Sequence, residues 1–122
     1  MDAKLTAIGL AGGRLLIGSG FVAVPGVAAR GWIGAHSHDP GAKLMTRAAG
    51  GRDVAIALGT LATLRHKRQR RRWLEAGALA DGTDLVATLA AGRSLPGRGL
   101  AFGILITTAS TLVDLWLIRE LG

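Results

Sequence analysis

Five charged residues lie within stretches that are otherwise apolar or small: Arg14, Arg52, Asp53, Asp81 and Asp84. A charge at the centre of a bilayer costs at least about 2.5 to 3.5 kcal/mol, so arginines and carboxylates that share such an interior are expected to pair. An arginine can neutralise one carboxylate through two parallel hydrogen bonds. We therefore predict that these five residues form a buried charged cluster.

The depth of these residues supports the same prediction. If each stretch is a helix that rises about 1.5 Å per residue, all five lie about eight to twelve residues from one membrane face. Thr107 falls at a similar level. Asp114 and Glu75 are expected nearer the cytoplasmic rim. The cluster should therefore lie close to the midplane of the membrane.

Two arginines against three aspartates leave one carboxylate without a partner. The cluster could be a structural ionic knot that fixes how the helices assemble. It could instead be a carrier site, because a surplus buried carboxylate can hold and exchange a proton. A third possibility is an acid/base active site for a lipid or isoprenoid, with Asp53, Asp81 or Asp84 as the acid or base and Arg14 holding charge. The residues leave these alternatives open and assign no catalytic residue.

Polar and small residues recur at helical spacing in three of the apolar stretches, so each helix should have one polar face. We expect such faces to meet one another rather than lipid. The polar stripe of the third and fourth stretches comprises Thr88, Thr107, Ser110, Thr111 and Asp114, and Gly77, Asp81, Asp84 and Gly103 share these faces.

A basic run at residues 65–72 carries six positive charges in eight residues and separates the second and third apolar stretches. Loops rich in lysine and arginine stay in the cytoplasm, so the run predicts the orientation of the chain. Nucleic-acid binding is not expected, because the flanking segments are too apolar and lack interleaved aromatic residues. The predicted contacts with anionic lipid headgroups are made by Arg65, Lys67, Arg68, Arg70, Arg71 and Arg72.

Four segments are long enough to span a bilayer, which needs about 20 helical residues. The predicted spans are residues 5–27, 41–64, 73–91 and 99–118. Basic residues are more numerous on the side of the central run, which predicts that both termini are cytoplasmic. The sequence thus predicts an all-α, four-transmembrane-helix bundle that forms a single domain of residues 1–122 in a bacterial inner membrane.

Composition excludes several kinds of site. The chain has no cysteine, so disulfides, thiolate metal sites and cysteine nucleophiles are absent. His36, His38 and Asp39 could bind zinc or copper, but three ligands in one loop are more often solvated, and we predict neither metal nor cofactor. Nineteen glycines suit close helix packing in lipid, and Gly9 and Gly13 form a small-residue packing motif.

The chain also resembles a known group. Its shared pattern is an arginine in the first helix, a proline near the end of that helix, an Arg-x-x-Gly-x-Arg-Asp entry to the second helix and an Ala-x-Ala-Asp centre in the third. The matching residues are Arg14, Pro25, Arg47, Gly50, Arg52, Asp53, Ala78, Ala80 and Asp81. In these features the chain is similar to small four-helix integral membrane proteins of bacteria, a family of unknown function. The resemblance implies a fold and a location, and it implies no activity.

Together these features predict a small polytopic membrane protein. Its expected role is an oligomeric transporter-like unit or an accessory subunit of a membrane complex, with membrane lipids and further copies or subunits as partners. An intramembrane acid/base enzyme is the alternative, and a soluble helical binding protein is a third. Extraction without detergent would separate the third from the other two.

Overall fold

The computed structural model describes residues 2–122, and these are almost wholly helical, with no β-strand among them. The helices are α1 (Ala3–Ala23), α2 (Pro25–Ala28), α3 (Arg30–Ile33), α4 (Pro40–Ala62), α5 (Lys67–Ala91) and α6 (Gly97–Leu121). Single 3-10 turns at Gly34–His38 and Gly92–Ser94 precede α4 and α6. The prediction of an all-α protein is confirmed.

The ends of the first and third long helices differ most from the predicted spans. The first long helix ends at Ala23, because Pro25 begins the separate short helix α2. The third predicted span begins at residue 73, whereas α5 already begins at Lys67. Lysine, arginine and glutamine are good helix formers, so most of the basic run forms the first turns of α5 instead of a loop.

The four long helices associate chiefly as two antiparallel pairs, α1 with α4 and α5 with α6. Glycines allow the backbones of the first pair to approach closely. A Cβ atom on Gly50 would lie 2.6 Å from the carbonyl oxygen of Gly18 and 2.7 Å from the Cβ of Phe21. Fewer contacts join the two pairs, so the side chains between them decide how the pairs are held together.

Large apolar side chains lie mainly on the outside of this arrangement. Leu16 is 78% exposed, and Leu79 is 73% exposed. The buried apolar residues are mostly alanines, with Ile56, Leu74 and Leu117 as the larger ones, whereas several charged side chains are buried. This distribution is the reverse of that in a water-soluble protein, whose large aliphatic side chains are the most often buried.

Two of the helices, Ala3–Ala23 and Gly97–Leu121, are long and apolar enough to cross a membrane. Helices α4 and α5 have similar lengths, 23 and 25 residues, but are less apolar on average. Charged residues of α1, α4, α5 and α6 that lie between the helix pairs form the site described next.

Candidate charged site between the helix pairs

Arg14 of α1 joins the two helix pairs at the more buried end of the site. Its Nη1 and Nη2 atoms donate to the two carboxylate oxygens of Asp81 on α5, at 3.1 and 2.6 Å. Its Nη2 also donates to Oδ2 of Asp114 on α6, at 2.7 Å. Arg14 and Asp81 are 8% and 7% exposed, and Asp114 is 1% exposed. One guanidinium therefore ties three helices together in a region closed to solvent.

Arg52 of α4 forms a second, similar pair with α5. Its Nη1 and Nη2 atoms donate to the two carboxylate oxygens of Asp84, at 3.1 and 2.7 Å. Asp53 accepts from Arg52 Nη2 at 3.2 Å, and the same oxygen of Asp53 lies 3.8 Å from Nη1 of Arg14. Asp53 thus connects the two arginines. We call the resulting set the charged network: Arg14, Arg52, Asp53, Asp81, Asp84 and Asp114.

The five residues predicted to cluster are all in the charged network, and Asp114, predicted only as part of the polar stripe, joins them. Helix α6 continues to Leu121, beyond the predicted end at residue 118, so Asp114 lies further from the helix end than expected. Two arginines therefore face four aspartates, not three. The signal was present in the sequence, because Asp114 shares the polar face of Thr107 and Thr111.

Gly77 makes room for the closed end of the network, a role that the sequence did not reveal. A Cβ atom at this position would lie 2.9 Å from Arg14 Nη2 and 3.1 Å from both carboxylate oxygens of Asp114. Any larger residue at position 77 would push against the ion pair. The glycine therefore permits α5 and α6 to close around the guanidinium.

The residues of the predicted polar stripe lie toward the interior, but most of their hydroxyls form hydrogen bonds within their own helices. Thr88 and Thr107 are buried, and Ser110 and Thr111 are partly buried. The hydroxyls of Thr88, Thr107 and Thr111 donate to the backbone oxygens of the residues four positions earlier. Of the stripe residues, Asp114 alone therefore contributes to the charged network.

A cleft of about 430 Å³ lies beside Arg52. The side chains of Arg52 and Asp84 are 33% and 20% exposed, so this end of the network is open where the Arg14 end is closed. The cleft is lined by Phe21, Ala29, Trp32, Ile33, Met45, Thr46, Ala48, Ala49, Arg52, Thr83, Asp84 and Ala87. Apart from the ion pair and two threonines, its walls are apolar.

One residue of the basic run does not have the role predicted for it. Arg70 is buried and donates to the backbone oxygens of Leu64 and Leu121, so its prediction as a lipid-headgroup contact is wrong. It lies on the inner face of α5, where it satisfies carbonyl groups near the ends of α4 and α6. The remaining basic residues are exposed, and Arg71 also pairs with Glu75 at 2.8 Å. The exposed residues are Arg65, Lys67, Arg68, Arg71 and Arg72.

The histidines of the 3-10 turn before α4 form a separate, exposed group. His36 Nδ1 lies 3.1 Å from a carboxylate oxygen of Asp39. Residues 2–122 contain no group of three or more histidine, cysteine or acidic side chains arranged to hold a metal ion. Buried Ser37 donates to the backbone oxygen of Gly26 and ties this turn to α2.

The geometry thus defines a class of site, an interior guanidinium–carboxylate network in a helical protein. Such a network can hold helices together, bind protons on its surplus carboxylates, or attract a cation. Comparison of the chain with protein-family models, with curated proteins and with solved structures found no match.

Proposed function

We propose that this chain is a four-span integral membrane protein of a bacterial inner membrane, a four-transmembrane-helix bundle with both termini in the cytoplasm. The observation that carries the proposal is the reversed distribution of side chains. Leucines such as Leu16, Leu79 and Leu105 face outward, and ionised groups lie between the helices. Lipid acyl chains would cover the leucines, and the charged groups would have no contact with lipid. The resemblance to small four-helix bacterial membrane proteins suggests the same location.

Within the membrane we propose a transporter-like role, as a homo-oligomer or as a subunit of a larger complex. Two arginines cannot neutralise four carboxylates, so the charged network has a net charge of about −2 when all six groups are ionised. Such an excess is costly in a low-dielectric interior unless protons or a cation compensate it. The surplus carboxylates are therefore suited to take up and release protons. Exposed glycines on α1, including Gly9 and Gly13, offer a face for contact with a second copy.

A second candidate is an intramembrane enzyme that acts on a lipid or isoprenoid. The observation in its favour is that Asp84 reaches the cleft, where an apolar substrate could approach the carboxylate. Accumulation of a lipid precursor in cells that carry Asp84→Asn would favour this alternative. Unchanged lipid composition together with lost proton uptake favours the transporter-like role.

Cysteine labelling tests the four-span arrangement directly, because the natural chain contains no cysteine. A membrane-impermeant maleimide applied to intact spheroplasts should label His36→Cys and Ser94→Cys. Gln69→Cys should react only after the membrane is permeabilised. Leu16→Cys, exposed near the middle of α1, should react only after detergent denaturation. Equal labelling of all four variants without permeabilisation would refute the proposed topology.

Proton uptake tests the functional part of the proposal. Proteoliposomes that contain the wild-type chain and a trapped pH-sensitive dye should respond to an external acid pulse faster than empty liposomes. Asp53→Asn, which removes the carboxylate between the two arginines, should slow this response. Glu75→Gln is the matched control, because Glu75 is exposed and pairs only with Arg71 in the described structure. Equal rates for wild type and empty liposomes would contradict proton-linked transport.

A further inference from the structure

We propose that the cleft beside Arg52 binds a lipophilic organic cation, and that this cation and protons compete for the charged network. The inference rests on the proposed function and names the class of substrate for it. Three properties of the cleft carry it: the sign of the charge at its inner end, the access to that charge, and the nature of its walls.

The sign of the charge follows from the composition of the network. Arg14 is held by Asp81 and Asp114, and Arg52 is held by Asp84, so each arginine is already paired. Asp53 lies within 4 Å of both arginines and adds a further negative charge. An anionic ligand would increase the existing excess of negative charge. A cation decreases it, and in a low-dielectric medium this difference strongly favours the cation.

Access to the network is confined to its Arg52 end. Arg14, Asp81 and Asp114 are each at most 8% exposed and do not line the cleft. Arg52 and Asp84 do line the cleft, and their side chains retain partial exposure. A ligand in the cleft can therefore contact Asp84 directly. The remaining carboxylates do not touch the ligand and act on it only through their negative charge.

The walls of the cleft suit a lipophilic cation rather than a hydrated metal ion. Phe21 and Trp32 supply aromatic rings, and cations are attracted to the faces of such rings. Met45, Ile33 and several alanines supply apolar surface. The volume of about 430 Å³ lies within the range of small-molecule sites. Thr46, only 4% exposed, also lines the cleft and adds a hydroxyl group to its wall.

Protons compete with the cation because both supply the positive charge that the network lacks. The groups that face one another there are Arg14 from α1, Arg52 and Asp53 from α4, Asp81 and Asp84 from α5, and Asp114 from α6. Arginine remains charged throughout the accessible pH range, so the aspartates alone exchange protons. Binding of one cation should consequently displace protons, and affinity should rise as the pH is raised.

Binding of tetraphenylphosphonium to the full chain in detergent micelles tests the proposal, with tetraphenylborate as a probe of similar shape and opposite charge. We expect saturable binding of the phosphonium, no competition by the borate, and release of protons into a weakly buffered solution. Asp84→Asn should weaken phosphonium binding at least about tenfold, and Glu75→Gln should not. Equal affinity for both probes, or an unchanged affinity in Asp84→Asn, would overturn the proposal.

Replacement of a phenylalanine in the cleft provides a second test if Asp84→Asn does not assemble. Phe21→Leu leaves the network intact and should weaken binding about threefold to thirtyfold, the range of a cation–π contact. Phe102→Leu, which changes an exposed ring on α6 outside the cleft, is the matched control. Equal binding by these two variants would contradict a site in the cleft. Cysteine labelling and proton uptake do not depend on this probe, so failure here is distinguishable from failure of the proposed function.

Discussion

The two ends of the charged network use the same chemistry in different surroundings. At the closed end, Arg14 holds Asp81 and Asp114, and all three side chains are buried. At the open end, Arg52 holds Asp84 with almost the same two distances, but both side chains reach the cleft. The bidentate geometry alone therefore does not distinguish the roles of the two arginines.

The difference in burial indicates that the two ends of the charged network have different roles. A charge that loses its partner in a closed interior remains uncompensated, whereas one beside a cleft can be reached by water, a proton or a ligand. The closed end should accordingly determine whether the two helix pairs assemble. The open end should affect binding and exchange more than stability.

The largest expected effect comes from breaking the closed end. Arg14→Gln leaves Asp81 and Asp114 without a cation and should lower the free energy of unfolding by about 3 to 5 kcal/mol, the range for a broken buried pair. Arg52→Gln should cost clearly less, because Asp84 remains accessible from the cleft. Unfolding in mixed micelles with increasing denaturing detergent measures both. Equal losses would show that the two ends do not differ as proposed.

A smaller effect is expected from crowding the closed end without changing its charge. Gly77→Ala places a Cβ atom 2.9 Å from Arg14 Nη2 and should cost about 1 to 3 kcal/mol, as overpacking of an interior usually does. Gly82→Ala on the same helix is the control, since its Cβ would meet nothing within 4 Å. Alanine favours a helix by up to about 1 kcal/mol over glycine, so thermal denaturation should show Gly82→Ala unchanged or stabilised.

The smallest effect on stability is expected at Asp53, between the two ends. Asp53→Asn removes one negative charge from a network that has a surplus and keeps the shape of the side chain. We expect a change in the free energy of unfolding below about 1 kcal/mol, with stabilisation the favoured direction, even though proton uptake falls. A loss as large as that of Arg14→Gln would mean that Asp53 is a required partner and not a surplus group.

The sequence predicted much of the fold because its signals were local. Apolar stretches separated by Pro25, the basic run and the Gly92–Ser94 turn predicted the four long helices. Charges within those stretches predicted the network, since buried charges must pair. These inferences needed composition and spacing alone.

The features that the sequence did not predict depend on exact helix ends and on packing. Asp114 was not included in the predicted cluster because its contact with Arg14 depends on how α6 packs. Arg70 was assigned to lipid because its inward position depends on α5 beginning at Lys67. The role of Gly77 depends on three helices meeting at one turn. The cleft required the arrangement of α1, α3, α4 and α5 together, which no single stretch of sequence encodes.

Charge compensation in a low-dielectric interior is the central claim, and a rescue experiment tests it most directly. The free energy of unfolding should be compared for wild type, Arg14→Gln, and Arg14→Gln combined with Asp81→Asn and Asp114→Asn. The account predicts that the triple variant recovers most of the stability lost in Arg14→Gln, because the two carboxylates held by Arg14 are removed and Asp53 still contacts Arg52. A triple variant as unstable as Arg14→Gln, or less stable, would contradict it.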